Sequence, residues 1–194
     1  MPSWRRDMNP FQFILGLYAV TSGLGLTLLV SSVAKMIEAR NRTQRYWVHT
    51  CWLTFLFVVN VTGWLSLWAV KGHTSWSVFE ALLLLLVPIL LYIVSYLAVP
   101  NFDDADNLDL RIHYFRQSGW MQGLLLLALL SSSIGVRAIE GRWDISLADV
   151  LRFAAMVTLL PGIVSRRPAV HATQMIVLML ILAIALLQVA EPIA

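Results

Sequence analysis

Residues 11–34 contain no charged side chain and end at Lys35. Four further runs have the same character: 48–70 closed by Lys71, 81–99 stopped by Pro100, 117–136 closed by Arg137, and 168–190 followed by Glu191. A helix needs about 20 mostly apolar residues to cross the hydrocarbon core of a bilayer. Inside that core the backbone finds no water to bond, so it must satisfy itself as a helix. Each run is therefore expected to be a transmembrane helix. Residues 145–164 make a sixth candidate, although Asp149 and Arg152 fall near its start. Arg152 there can snorkel toward the headgroups, and an interfacial helix is the alternative. The reading adopted is an all-α membrane protein, a single domain of six transmembrane helices.

Composition agrees. Of the 194 residues 59% are hydrophobic and 13% charged, and the mean hydropathy is +0.74, whereas soluble domains carry about a quarter charged residues. A soluble globular domain, a disordered chain and a disulfide scaffold are excluded on this ground. The net charge of +3 comes from 14 basic residues set between apolar runs. They read as markers of membrane boundaries rather than as a nucleic-acid footprint. The first run is expected to persist rather than be cleaved as a signal, since it is long, lacks a small-x-small site and ends in a basic stop. The single cysteine, Cys51, lies within a span, which excludes an internal disulfide and a thiolate metal cage.

Six spans put both termini on one side with the 2–3 and 4–5 loops. That side carries Arg5, Arg6, Lys71, Arg137, Arg142 and Arg152; the other carries Lys35, Arg40, Arg42, Arg45, Arg111, Arg116, Arg166 and Arg167. Lys and Arg favour the cytoplasmic side, so both termini are expected outside. The connections are short, so consecutive helices should be antiparallel neighbours. In the longest, Asp103, Asp104, Asp106 and Asp109 suggest a calcium loop, but the turn glycine and closing glutamate are missing and a solvated acidic loop is preferred. Leu108, Ile112 and Phe115 then recur at helical spacing and are expected to extend helix 4 or to lie along the headgroups. Asn41-Arg-Thr43 fits a glycosylation pattern in a loop read as cytoplasmic.

Two helix starts share one design. Ser77-Val-Phe-Glu80 follows Trp76, and Ser146-Leu-Ala-Asp149 follows Trp143. Each reads as a capping box beside an interfacial tryptophan, which gives Glu80 and Asp149 a structural task; the functional alternative is an acid facing a water-filled cavity. Ser31-x-x-x-Lys35-x-Ile37-Glu38 echoes Ser133-x-x-x-Arg137-x-Ile139-Glu140. Taken as a repeat it would imply two inverted halves, though chance similarity is the preferred explanation.

Helix 2 holds His49 and, eleven residues on, Asn60. Three helical turns return Asn60 to nearly the same face, and polar groups at such depth need partners. His49 is either an interface histidine bonded to a carbonyl or a group that handles a proton or ligand. His49, His113 and His171 are expected near one membrane face and His73 near the other. A bis-histidine haem would need two of them facing at one level, which no spacing demands, and no cofactor is expected. No HExxH, CxxC or glycine-rich phosphate loop occurs, and a voltage-sensing row of arginines is missing. Gly16, Ala19, Gly23, Thr27 and Ala34 make a small-residue stripe on helix 1 for an intramolecular or subunit contact. Pro88 and Pro161 are expected to kink helices 3 and 5.

Tyr46-Trp47-x-His49-x-x-Trp52, with Asp109-Leu110-Arg111-x-x-Tyr114-Phe115, resembles a group of small bacterial six-helix inner-membrane proteins that carries no established activity. The resemblance implies a bacterial inner-membrane location and draws attention to His49, Asp109 and Arg111. Asp109, Arg111 and His113 form a candidate cluster on the expected cytoplasmic side. Three function classes follow. The first is a small channel or transporter for an ion or small solute, expected to be oligomeric, whose route is lined by His49, Asn60, Glu80, Asp149 and Arg152. The second is an accessory or assembly subunit binding lipid or another membrane protein. A membrane enzyme or redox protein is third, because no catalytic constellation can be assembled.

Overall fold

A computed structural model describes residues 10–73, 75–102, 108–141 and 144–189. Six helices are each long and apolar enough to cross a membrane, and the protein is an all-α, multi-pass membrane protein. They are α1 Pro10–Glu38, α2 Trp47–Ser66, α3 Val78–Ala98, α4 Leu110–Glu140, α5 Leu147–Val164 and α6 Pro168–Val189. The fifth candidate is thus one uninterrupted helix of 18 residues. The second span is shorter as an α-helix than its apolar run, because Leu67–Val70 tightens into a 3-10 turn. At 31 residues, α4 is about 46 Å long and exceeds the hydrocarbon core; its first turns are the extension read from Leu108, Ile112 and Phe115.

The helix ends follow local chemistry. Both capping boxes form: the Glu80 and Asp149 amides donate to Ser77 and Ser146 Oγ, and the carboxylates accept from the serine amides at 2.8 and 3.0 Å. These bonds satisfy amides that the first turn of a helix leaves free. Ser146→Ala is expected to lower stability by about 1 kcal/mol, readable as a shift in thermal unfolding in detergent. Asp109 caps α4 by accepting from the Arg111 and Ile112 amides at 2.8 and 3.1 Å. Gly141 ends α4 with φ of 61°, a left-handed turn that suits glycine. Proline opens α1 and α6, where a missing N–H is harmless.

Two residues of the 1–2 loop, Thr43–Gln44, pair in parallel with Leu108–Asp109. This small ladder ties the 1–2 and 3–4 loops together. The bundle core joins Leu29, Trp52, Leu56, Leu91, Tyr114, Met121, Leu125, Leu159, Met175 and Leu178, drawn from all six helices. α1 packs on α2 and α3, α3 on α4, α4 on α5, and α5 on α6. The first half therefore pairs its outer helices, α1 with α3, whereas the second builds on α5; the halves are not packed alike.

The small-residue stripe of α1, expected to serve an intramolecular or a subunit contact, is not the face turned into the bundle. The α1 face turned inward is Ile14, Tyr18, Ser22, Gly25, Leu29 and Ser32. Gly16, Thr27 and Ala34 of the small-residue stripe are exposed. Gly25 and Gly63 serve the real contacts: a Cβ on Gly25 would lie 3.3 Å from Asn60 Oδ1, and one on Gly63 would lie 2.8 Å from the Tyr18 hydroxyl.

Candidate functional site

The odd-numbered loops gather at one membrane end, with the first turns of α2, α4 and α6, and three histidines lie there. The His49 and His113 rings meet edge to face with centroids 5.8 Å apart, and His171 packs against Tyr114 and Phe115. His73 sits at the other end, against Trp76 and 3.6 Å from Glu80. These two levels are called here the histidine end and the cavity end.

Just inside the histidine end a buried polar network crosses four helices. The Trp52 indole N–H donates to the Tyr114 hydroxyl at 2.8 Å, and that hydroxyl lies 2.9 Å from His171 Nδ1. His171 Nε2 lies 2.8 Å from the Ser165 carbonyl, which can only accept. The imidazole must therefore carry its proton on Nε2 and accept on Nδ1 from the Tyr114 hydroxyl, a neutral tautomer assigned by its partners. Gln122 Nε2 also donates to Nδ1, at 3.2 Å. Gln174 Nε2 donates to Gln122 Oε1 at 2.9 Å and to the Thr158 carbonyl at 3.0 Å. His171 and Gln122 are wholly buried. Ser165 is the C-cap of α5, so His171 also satisfies a carbonyl at the helix end that lacks an intrahelical donor. Arg166 reaches back from the 5–6 loop to the Phe115 carbonyl and, at 3.4 Å, to Ser118 Oγ.

Toward the other end the helices part around a cavity of about 280 Å³. Its walls are Phe55 and Val59 of α2, Val87 and Leu91 of α3, Leu125, Ala128 and Leu129 of α4, Leu151 and Ala155 of α5, and Leu178, Ile181, Leu182 and Ala185 of α6. Polar groups join only near the helix ends: Thr62, Ser66, Ser132, Arg152 and Gln188. Trp52, Met121, Leu159 and Met175 are buried in the core cluster that also holds the lining residues Phe55, Leu91, Leu125, Ala155 and Leu178. Trp52 belongs to both levels, since its ring meets Phe55 edge-on at 5.5 Å. The polar network bonds α2, α4, α5 and α6 together, four of the five helices that line the cavity.

Of the five residues expected to line a route, only Arg152 borders the cavity. His49 and Asn60 do share a helix face, but that face turns to α3 and α1. His49 Nε2 lies 2.9 Å from the Ala98 carbonyl, and Asn60 donates to the Leu56 carbonyl with its oxygen toward Gly25. Helix 2 presents Phe55, Val59, Thr62, Gly63 and Ser66 to the cavity instead. Glu80 and Asp149 are held in their capping boxes, as the structural reading expected. Asp149 also lies 3.3 Å from Arg152 and 3.6 Å from Arg137, so one carboxylate lies between two guanidinium groups at the cavity end.

The Asp109, Arg111 and His113 cluster is not drawn together as a unit. Asp109 serves the backbone, Arg111 is exposed, and His113 turns inward beside the Leu97 and Ala98 carbonyls. Tyr46, just outside α2, packs on Tyr114 and Phe115. Burial pushes its hydroxyl above the usual phenol range and nearby Arg111 pulls the other way. Among the described residues no three His, Cys, Asp or Glu side chains converge as metal ligands. Asp103, Asp104, Asp106, Arg142 and Trp143 lie outside the described residues.

Sequence reasoning missed Gln122, Gln174 and Gly162. The signal for the first two was present, since an amide deep in an apolar run needs a partner. Gly162 gave none. Comparison with protein-family models, curated proteins and solved structures gives no match.

Proposed function

We propose that the protein binds a small, mainly apolar molecule within the membrane, in the cavity framed by α2 to α6, and acts as a carrier rather than as a channel. The observation that carries this reading is the cavity itself, about 280 Å³ with mainly apolar walls drawn from five helices and a few polar groups, Thr62, Ser66, Ser132, Arg152 and Gln188. Binding sites for small molecules have this character: apolar surfaces with a few placed polar groups. A channel would need a wet path past the histidine end, where Trp52, Tyr114, Gln122 and His171 are bonded to one another. We place the protein in a bacterial inner membrane with the termini and the cavity end outside, on the loop charge bias and the motif resemblance.

Filling the cavity tests the reading. Ala155 lines it and is buried, so Ala155→Phe projects a ring into the space. Titration with radiolabelled decanol in lipid nanodiscs, corrected with empty nanodiscs, is expected to show one saturable site per chain in the parent protein. Ala155→Phe should lose that site while melting no lower than the parent. An unchanged saturable site in the filled variant would contradict the assignment.

A second reading, subunit assembly, is favoured by the outward position of Gly16, Thr27 and Ala34 on α1. Small residues let membrane helices approach closely, and these three are exposed among the described residues. Native mass spectrometry from nanodiscs should then show a homo-oligomer or a second membrane protein; a bare monomer would remove this reading.

A further inference from the structure

We propose that a bilayer-facing groove between α5 and α6 binds one phospholipid with an anionic head group, its phosphate held by Arg167 and one acyl chain lying along the groove. The groove has a volume of about 540 Å³ and shares no lining residue with the cavity described above. Its walls are Val157 and Pro161 of α5 and Ala169, Val170, Thr173 and Val177 of α6. All but Val170 are exposed, so on a pair of membrane-spanning helices they meet the bilayer. Thr158 and Gln174 also border the groove, and the Gln174 amide donates to the Thr158 carbonyl at 3.0 Å. That bond ties the two walls together and keeps the recess in shape.

Length and charge name the occupant. From Ala169 to Val177 the α6 helix rises about 12 Å, close to the roughly 15 Å that one leaflet gives to a hydrocarbon core of about 30 Å. The groove begins at the first turn of α6, beside the 5–6 loop. A chain lying in it therefore belongs to a lipid of the leaflet at the histidine end and brings its head group to that loop, where Arg166 and Arg167 stand. Arg166 is engaged with the Phe115 carbonyl and Ser118 Oγ. Arg167 is exposed, and its guanidinium has no bonding partner among the described residues. A guanidinium takes a phosphate through two parallel N–H···O bonds, and basic sites between transmembrane helices hold anionic lipid heads. A zwitterionic head offers the same phosphate but carries a cation that the guanidinium repels. A second copy of the chain is a poorer occupant. Two copies meeting symmetrically through this groove share one orientation in the membrane, so their Arg167 side chains would lie at one depth, like charge near like charge.

Native mass spectrometry from nanodiscs of equal parts phosphatidylglycerol and phosphatidylcholine tests the site. The parent protein is expected to retain one lipid per chain, with phosphatidylglycerol favoured about tenfold, the preference that one added charge-assisted pair confers. Arg167→Gln should bring the ratio near one, and Arg167→Lys should keep most of the preference. Thr173→Phe fills the groove from an exposed position and should lose the retained lipid while unfolding at the parent temperature. Arg40→Gln controls for general attraction, since Arg40 is an exposed cation at the end of α1, and it should leave the ratio unchanged. Equal retention of the two lipids by the parent would overturn the proposal, as would equal loss of preference in Arg40→Gln and Arg167→Gln. A dimer that Thr173→Phe dissociates would make the groove an interface between copies and overturn the lipid.

Discussion

Alanine at position 162 is expected to destabilise the protein by about 3 kcal/mol or more, the largest effect of any single methyl group in the chain. A Cβ there would overlap the amide oxygens of both Gln122 and Gln174. Either side chain could swing aside, but only by giving up bonds that satisfy buried groups: Gln174 to Gln122, Gln174 to the Thr158 carbonyl, and Gln122 to His171. An amide so displaced within the membrane finds no water to replace those partners. Steric overlap and lost bonding thus add. Gly123→Ala is the control, because a Cβ at Gly123 meets nothing within 4 Å. That variant should melt at or slightly above the parent, alanine being the better helix former by about 1 kcal/mol. Thermal unfolding in one detergent compares the two, and similar melting temperatures would contradict the packing described.

His171→Phe ranks second, at about 2–4 kcal/mol. The ring keeps its approximate bulk, so what is lost is bonding. The Tyr114 hydroxyl loses its acceptor, the Gln122 amide one of its own, and the Ser165 carbonyl its imidazole donor. Tyr114→Phe should have a smaller effect, about 1–2 kcal/mol, because Gln122 still reaches His171 and only the Trp52 indole is stranded. The order of the two variants tests where the network has its centre. If phenylalanine at 171 were silent and phenylalanine at 114 severe, Tyr114 and not His171 would join the helices.

The two levels of the protein were legible in the sequence to different degrees. Span number and most helix ends follow from rules acting over a few residues: uncharged runs fix the spans, Ser77 and Ser146 fix two starts, and Pro168 a third. Even the pairing of His49 and Asn60 on one face follows from helical geometry. What that face meets does not. Its neighbours are Ala98 of α3 and Gly25 of α1, chosen by how helices cross, so the same spacing that put the two polar groups together gave no hint that they point away from the cavity. The small-residue stripe on α1 could serve an intramolecular or a subunit contact, and it was tertiary packing, Tyr18 against Gly63 and Gly25 against Asn60, that decided which side faces the bundle. Tyr114, Gln122, His171 and Gln174 are separated by up to 60 residues of chain. Each alone reads as an isolated polar group, and an emphasis on ionisable residues passed over the two amides. The cavity is still less local, for its lining comes from α2, α3, α4, α5 and α6 at once.

Whether that space takes up a ligand is tested directly by a photoactivatable medium-chain alcohol. Irradiated with the protein in nanodiscs and mapped by peptide mass spectrometry, it should label the α2, α5 and α6 residues that line the cavity, including Phe55, Ala155 and Leu182. Excess decanol should suppress this labelling, and Ala155→Phe should remove it. Labelling confined to lipid-facing positions such as Val20 and Leu187, and unaffected by decanol, would show that the cavity takes up no ligand and would contradict the account.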